Sequence, residues 1–189
     1  MTGHHLSAIP LQTKRLRLRP LALSDAEAMH EIYADPETLC YWSCKPARTM
    51  DDTRGLVQKD LDAAARGQGL FWAVSRARRP ECIGKCVLFQ IDETNQRAEV
   101  GFLLNRRYWR SGLMREAMSA VIDHAFGELG LHRLEADTDP QNAASLGLLE
   151  RLGFKQEGLF RERWLVNGKR ADSVMLGLLR PDWEGLDQP

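Results

Sequence analysis

Between residues 98 and 129 the chain carries a pattern that few folds accommodate. An extended apolar run, AEVGFLL, leads into the loop NRRYWRSG, which closes on a glycine and opens a long amphipathic helix. From Met114 the apolar positions are Met114, Ala117, Met118, Val121, Ile122, Ala125, Phe126 and Leu129. These steps of three and four last about four turns, with Gly127 or Gly130 as the stop. A helix with one apolar stripe has to lay it on another layer, and a strand feeding straight into it supplies a sheet.

The flanking segments repeat that alternation. QTKRLRL (12–18) has the period of a half-exposed strand. Ser24-Asp25 offers an N-cap for a helix carrying Ala28, Met29, Ile32 and Tyr33, which Asp35-Pro36 closes. Residues 49–66 begin with a Thr cap and first-turn acids, carry Leu56, Val57, Leu61, Ala64 and Ala65 as a stripe, and stop at Gly67 and Gly69. LFWAVSR and ECIGKCVLFQI read as a strand pair across an Arg78-Arg79-Pro80 turn, and HRLEADT (132–138) as a further strand. Asp139-Pro140 is expected to cap a short helix over residues 142–152, with Gly153 as its stop, and Asn167-Gly168 to turn a closing hairpin. No linker or internal repeat divides the chain, so the reading is one mixed α/β or α+β domain spanning residues 1–189, its core at about 11–180.

Composition narrows the function classes. The 189 residues hold 43% hydrophobic and 28% charged side chains, an ordinary globular balance. Lys plus Arg and Asp plus Glu both total 26, which weighs against a protein whose whole surface binds nucleic acid or an anionic membrane. No window approaches the roughly 18 apolar residues of a membrane span. Residues 1–13 lack the features of a secretory signal, and the expected location is cytoplasmic. Cys40, Cys44, Cys82 and Cys86 are read as reduced thiols rather than metal ligands. On one strand, residues four apart share a face at about 13 Å and cannot meet on one metal.

The neutral total conceals a local excess. Between Glu99 and Glu116 stand Arg106, Arg107, Arg110 and Arg115 with no acid among them, around the Ser111-Gly112 turn into the long helix. The first N–H groups of a helix have no internal partners, the dipole adds partial positive charge, and glycine lets the backbone approach a ligand. Guanidinium matches phosphate with planar paired donors. Phosphate binding and a plain chain turn with solvated arginines both remain open on this pattern, which is neither a P-loop nor a dinucleotide fingerprint.

The loop and helix, together with a second stretch, resemble the GCN5-related N-acetyltransferase (GNAT) superfamily, in the branch of the ribosomal-protein N-terminal acetyltransferases (RimJ/RimL-like). The family's coenzyme A loop, Q/R-x-x-G-x-G/A, aligns with Trp109-Arg110-Ser111-Gly112-Leu113-Met114, with Trp109 and Met114 departing from it. The branch pattern Y-W-G-x-G-x-x-x-E-A is matched by Tyr108, Trp109, Gly112, Glu116 and Ala117, Arg110 replacing its first glycine. The second stretch is Asn142-x-x-Ser145 followed by LLERLGF.

The resemblance implies a twisted, mostly antiparallel mixed sheet flanked by helices, and acetyl-CoA as co-substrate with no metal. It places the cofactor on Arg110, Ser111, Gly112, Leu113, Met114 and Arg115, on the backbone N–H groups of Phe102, Leu103 and Leu104, and on Asn142 and Ser145. Transfer to an amine needs a base, a donor for the thioester carbonyl, and an outlet for the thiolate. Glu99 is the base that the resemblance implies, set against a reading in which it merely pairs with Arg97 or a neighbouring strand. Where many relatives carry a tyrosine acid this chain has Leu149, which leaves Ser145, water, or unassisted departure of a thiol whose pKa is about 8.5. Trp42, Trp72 and Trp164 are read as acceptor-site lining or as core, Tyr108 as structural and His124 as a surface residue.

Three functions follow: acetylation of a protein N-terminus, acetylation of a small amine such as an amino acid, polyamine or antibiotic, or non-catalytic acetyl-CoA binding. Direct transfer in a ternary complex is expected rather than an acyl-enzyme, with no nucleic acid or membrane partner, in a monomer or homodimer.

Overall fold

A computed structural model describes residues 7–42, 44–166 and 168–186. In chain order the elements are β1 (Leu11–Gln12), β2 (Leu16–Pro20), α1 (Ala26–Tyr33), α2 (Met50–Ala65), β3 (Gly69–Arg76), β4 (Arg79–Asp92) and β5 (Arg97–Leu104). After these come α3 (Leu113–Gly127), β6 (Arg133–Thr138), α4 (Ala143–Arg151), β7 (Lys155–Val166), β8 (Lys169–Leu179) and α5 (Arg180–Glu184). The strands form one sheet in the order β1-β2-β3-β4-β5-β6-β8-β7. Every neighbouring pair is antiparallel except β5 and β6, which run parallel with α3 as their crossover. This is the expected mixed α/β domain with a mostly antiparallel sheet.

Alternation along the strands makes two cores. On one face Leu16, Leu18, Leu88, Val100, Leu134 and Leu176 pack with Met118, Val121 and Ile122 of α3 and Leu148 and Leu149 of α4. On the other face Ala73, Cys82 and Leu103 pack with Met29, Ile32 and Tyr33 of α1 and Val57 of α2. The helices of this second face come from α1 and α2, packed on β4 and β3.

Local chemistry explains most element ends. Thr49 caps α2 by accepting from the Asp52 amide at 3.1 Å, while the Asp52 carboxylate accepts from the Thr49 amide at 2.9 Å. Gly153 adopts φ +86° after α4. Other ends differ from expectation. The run 12–18 is broken by a turn at residues 13–15, because the Glu116 carboxylate of α3 accepts from the Thr13 hydroxyl at 2.5 Å and the Arg15 amide at 2.8 Å. A 3-10 turn over Leu23–Asp25 precedes α1, and Asp25 bonds the Ala22 amide and pairs with Arg19 instead of capping the helix. The β3–β4 turn is Ala77-Arg78, so Arg79 and Pro80 already belong to β4. The β7–β8 hairpin is present, with Gly168 at φ +79°; Asn167 lies outside the described residues, as do residues 1–6.

Two side-chain readings are overturned. His124 is buried, not on the surface: its ring stands edge-on to Trp72 at 5.9 Å and neither nitrogen makes a hydrogen bond. Burial pushes its pKa down, so it packs as neutral imidazole. The sheet wraps α3 more widely than the apolar stripe indicated. Cys82 and Cys86 face opposite cores, because the β3–β4 ladder slips by one residue at Ile83. Their thiols touch Met29 and Met114 respectively, and all four cysteines are free.

Beneath α1 and α2, Lys85 of β4 is buried against Asp60 (2.5 Å) and the Tyr33 hydroxyl (2.8 Å), with its ammonium over the Tyr33 and Phe71 rings. Burial by itself lowers its pKa, but Tyr33 and Asp60 more than offset that, and the group stays charged. Asp60→Asn leaves this charge unpaired and is expected to cost about 3 kcal/mol in urea unfolding. Replacing the pair together, as Lys85→Met with Asp60→Leu, is expected to cost less than that single change.

Candidate active site

β5 and β6 pair only through Arg97–Arg133, Ala98–Leu134 and Glu99–Glu135. β6 then follows β8 along its whole length, from Arg133–Leu179 to Thr138–Val174. Val100–Leu104 therefore have no partner on β6, and alternate N–H groups of this segment, which includes Phe102, Leu103 and Leu104, face the gap. Leu103 and Leu104 are buried and Phe102 is half-buried.

The chain leaves β5 through a 3-10 turn at Arg106–Tyr108 and enters α3 at Gly112. Gly112 has φ +73° and no side chain caps the helix, so the first α3 amides, from Leu113, Met114 and Arg115, are uncapped by any side chain. A Cβ at Gly112 would lie 3.5 Å from the Arg15 guanidinium, which also donates to the Ser111 carbonyl at 3.0 Å. The Ser111 hydroxyl donates to the Tyr108 carbonyl and the Trp109 indole to the Leu104 carbonyl (2.8 Å), so the loop is braced from within. Arg110 stands at φ +57°.

The four arginines separate into two kinds. Arg106 pairs with Glu37 and Asp35, and Arg107 with Glu31, which ties the loop to the segment around α1. Arg110 and Arg115 have no ion pair among the described residues, and the buried Arg115 Nε makes no hydrogen bond. Glu116, the first acid after the loop, is drawn off by Thr13 and Arg15. Burial alone would raise its carboxyl, yet those contacts hold it below the usual carboxylate range. A left-handed glycine, uncapped amides and an uncommitted guanidinium nitrogen fit a diphosphate.

Across the gap, Asn142 is the residue that caps α4, its Oδ1 accepting from the Ser145 amide at 3.1 Å. Asp139, the expected cap, instead accepts from the Gln141 amide at 2.7 Å in the preceding turn. Leu149 is sealed in the core, so nothing at that position can donate a proton.

Glu99 sits at the last β5 position paired with β6, half-buried on the α1–α2 face of the sheet. It is not paired with Arg97, which instead binds Glu135 and Asp92; the Gln90 amide donates to it at 2.9 Å. Gln90 reaches it because a ladder irregularity follows Phe89, with Gln90 at φ +50°. Burial pushes the Glu99 carboxyl up to about 7, reinforced by Asp137 and Glu135 and opposed by Arg163 and Arg97. Asp137, Arg163 and Trp164 cluster beside it, a grouping that sequence reasoning missed apart from Trp164. Trp72 is core, Trp42 packs beneath α1 and α2, and Trp164 is 43% exposed with its indole on Asp137. Among the described residues no group of acids, histidines and cysteines is arranged to hold a metal.

A family model for the acetyltransferase (GNAT) domain matches residues 15–155. The uncharacterized N-acetyltransferase p20 of Bacillus licheniformis is 35% identical over 175 residues, 93% of this chain and 98% of its own length. The [ribosomal protein uS5]-alanine N-acetyltransferase of Escherichia coli is 27% identical over 188 residues, 93% of each chain. Among solved structures, a GNAT-family acetyltransferase from Bacillus anthracis superposes with a TM-score of 0.80 at 26% identity, covering 90% of this chain and 98% of that one.

The raised Glu99 carboxyl has a consequence for stability. A carboxyl that holds its proton more tightly when folded stabilises the fold below the unfolded value near 4.5, and that contribution is lost as pH rises toward 7. Glu99→Gln lacks this loss. It is expected to unfold at higher denaturant than wild type at pH 8, with the difference closing as pH falls to 4.5.

Proposed function

The chain belongs to the GNAT acetyltransferase family and is an N-acetyltransferase, and from that premise we propose that it acetylates the N-terminal α-amine of a protein, with Glu99 as the base. The observation that carries this reading is the state of the carboxylates on the Glu99 face. Glu135 is held by Arg97 and Arg133, Glu157 by Arg133, and Asp137 by Arg163. Glu99 has no ion pair among the described residues. One uncommitted carboxylate suits one amine, whereas a polycation calls for several. The exposed Phe160 and Trp164, whose rings lie against Arg163, suit the side chains of an extended peptide.

Acetyl-CoA supplies the acetyl group as an activated thioester. In our reading the first amides of α3, with Arg110 and Arg115, hold its diphosphate, while Ser111 and Gly112 shape that loop. The β5 amides between Phe102 and Leu104 that face the gap hold the pantetheine and polarise the carbonyl. Asn142 and Ser145 border the thiol end. An α-amine is partly neutral at pH 7, and a carboxyl titrating near 7 is matched to take its remaining proton, directly or through water. With Leu149 in the core, the C–S bond breaks and the thiolate either leaves as such or takes the proton given up by the acetylated nitrogen, relayed by water or the Ser145 hydroxyl.

Acetyl-CoA at a hundredfold excess over its Kd is expected to raise Tm by roughly 5–10 °C; no shift at millimolar concentration sinks the cofactor assignment. A panel of amines, read by release of free coenzyme A thiol, is expected to favour peptides with Ala or Ser at the N-terminus over spermidine and free amino acids. The reverse order transfers the activity to small amines. Glu99→Gln is expected to slow turnover at pH 7 about 10²-fold, and a loss under threefold retires Glu99 as the base.

A further inference from the structure

Asp137 lies two residues beyond Glu135 on β6, on the Glu99 side of the sheet and past the last β5–β6 pair. Its side chain is 7% exposed and is fully engaged. One carboxylate oxygen accepts from the Ser173 hydroxyl of β8; the other accepts from the Trp164 indole at 3.0 Å and meets the Arg163 Nε at 2.9 Å. Arg163 arrives from β7, where the ladder to β8 slips between Phe160 and Trp164. Glu162 stands there at φ +53°, its amide donating to Asp172 at 2.8 Å. The slip lays the Arg163 guanidinium over the Phe160 ring at 4.9 Å and the Trp164 ring at 5.6 Å. Arg163 makes no ion pair with Glu99, although it is the cation that acts on that carboxyl most strongly.

We propose that Asp137 is a positioning residue: it anchors Arg163 against the two rings and off Glu99, and so keeps the Glu99 carboxylate free to receive the acceptor's proton. The inference rests on Glu99 being the base. A guanidinium in contact with a carboxylate lowers its pKa by roughly one to three units, enough to return this carboxyl to a range where it is a poor base at neutral pH. The other groups facing Glu99 are committed elsewhere or neutral: Arg97 of β5 to Asp92 and Glu135, Glu135 of β6 to Arg97 and Arg133, and Gln90 of β4 as an amide donor.

The test needs no substrate. In protein carrying ¹³C-labelled glutamate carboxyls, the Glu99 signal is assigned by its absence in Glu99→Gln and titrated by NMR. Wild type is expected to titrate near 7. Asp137→Asn, nearly isosteric, is expected to lower that midpoint by roughly one to three units as Arg163 is released. Arg163→Met is expected to raise it. In the Arg163→Met background the Asp137→Asn change is expected to lower it by clearly less, leaving only the loss of a like charge. An equal drop in both backgrounds overturns the anchoring role, as does an unmoved midpoint in Asp137→Asn or a fall in Arg163→Met. A wild-type midpoint near 4.5 sinks both this inference and the base. A midpoint near 7 with activity retained in Glu99→Gln removes the base and with it the catalytic purpose proposed for Asp137, while the shifts in the two backgrounds still decide whether Asp137 anchors Arg163.

Discussion

The short pairing of β5 with β6 is the constraint on which the rest depends. Two parallel strands joined by a helical crossover would ordinarily stay bonded along their length. Here β6 is held over six residues by β8 and over only three by β5, so the sheet opens just past Glu99 and Glu135. The opening leaves the β5 amides that point toward β6 without a ladder acceptor, while those on the other edge stay bonded to β4. It also lets the chain swing through the Arg106–Gly112 loop and bring the α3 N-terminus to the same gap.

The covering of the sheet decides which side does chemistry. α3 and α4 seal the face that carries Leu134, Leu176 and Val100, whereas on the other face α1 and α2 pack chiefly on β4 and β3, and β6, β7 and β8 have no comparable helix cover there among the described residues. On that uncovered half lie Glu99, Arg133, Glu135, Asp137, Glu157 and Arg163. Glu135, Asp137 and Glu157 there are each held by an arginine, and Glu99 is left with an amide for a partner. Its raised pKa follows from that placement: partial burial without a bound cation, next to two other carboxylates.

Much of this was legible in the chain because local rules and long-range packing agree. The Thr49 cap and the stop after α4 at Gly153 rest on contacts within a few residues, the α3 stripe on helical periodicity, and each stands where it was read. The left-handed turn into α3 was legible as a glycine before a helix. Some misreadings are local, as where Asp139 takes the Gln141 amide and leaves the α4 cap to Asn142, but the larger ones come from across the fold. The strand through residues 12–18 breaks because Glu116, a hundred residues away, takes the Thr13 hydroxyl and the Arg15 amide. His124 is buried because Trp72 of β3 comes to cover it. Cys82 and Cys86 part because one residue slips out of register.

What the sequence by itself determined is most of the strands and helices, their order and the glycine turn before α3, since periodicity, caps and glycine conformations are properties of neighbouring residues; the β1–β2 break and α5 were not in it. Only the tertiary structure decided where the sheet opens, which arginines are free, and that Asp137 and Arg163 stand beside Glu99. These depend on strands and loops that meet across the fold. Burial and charge pairing in turn depend on what surrounds a side chain, not on what precedes it in the chain.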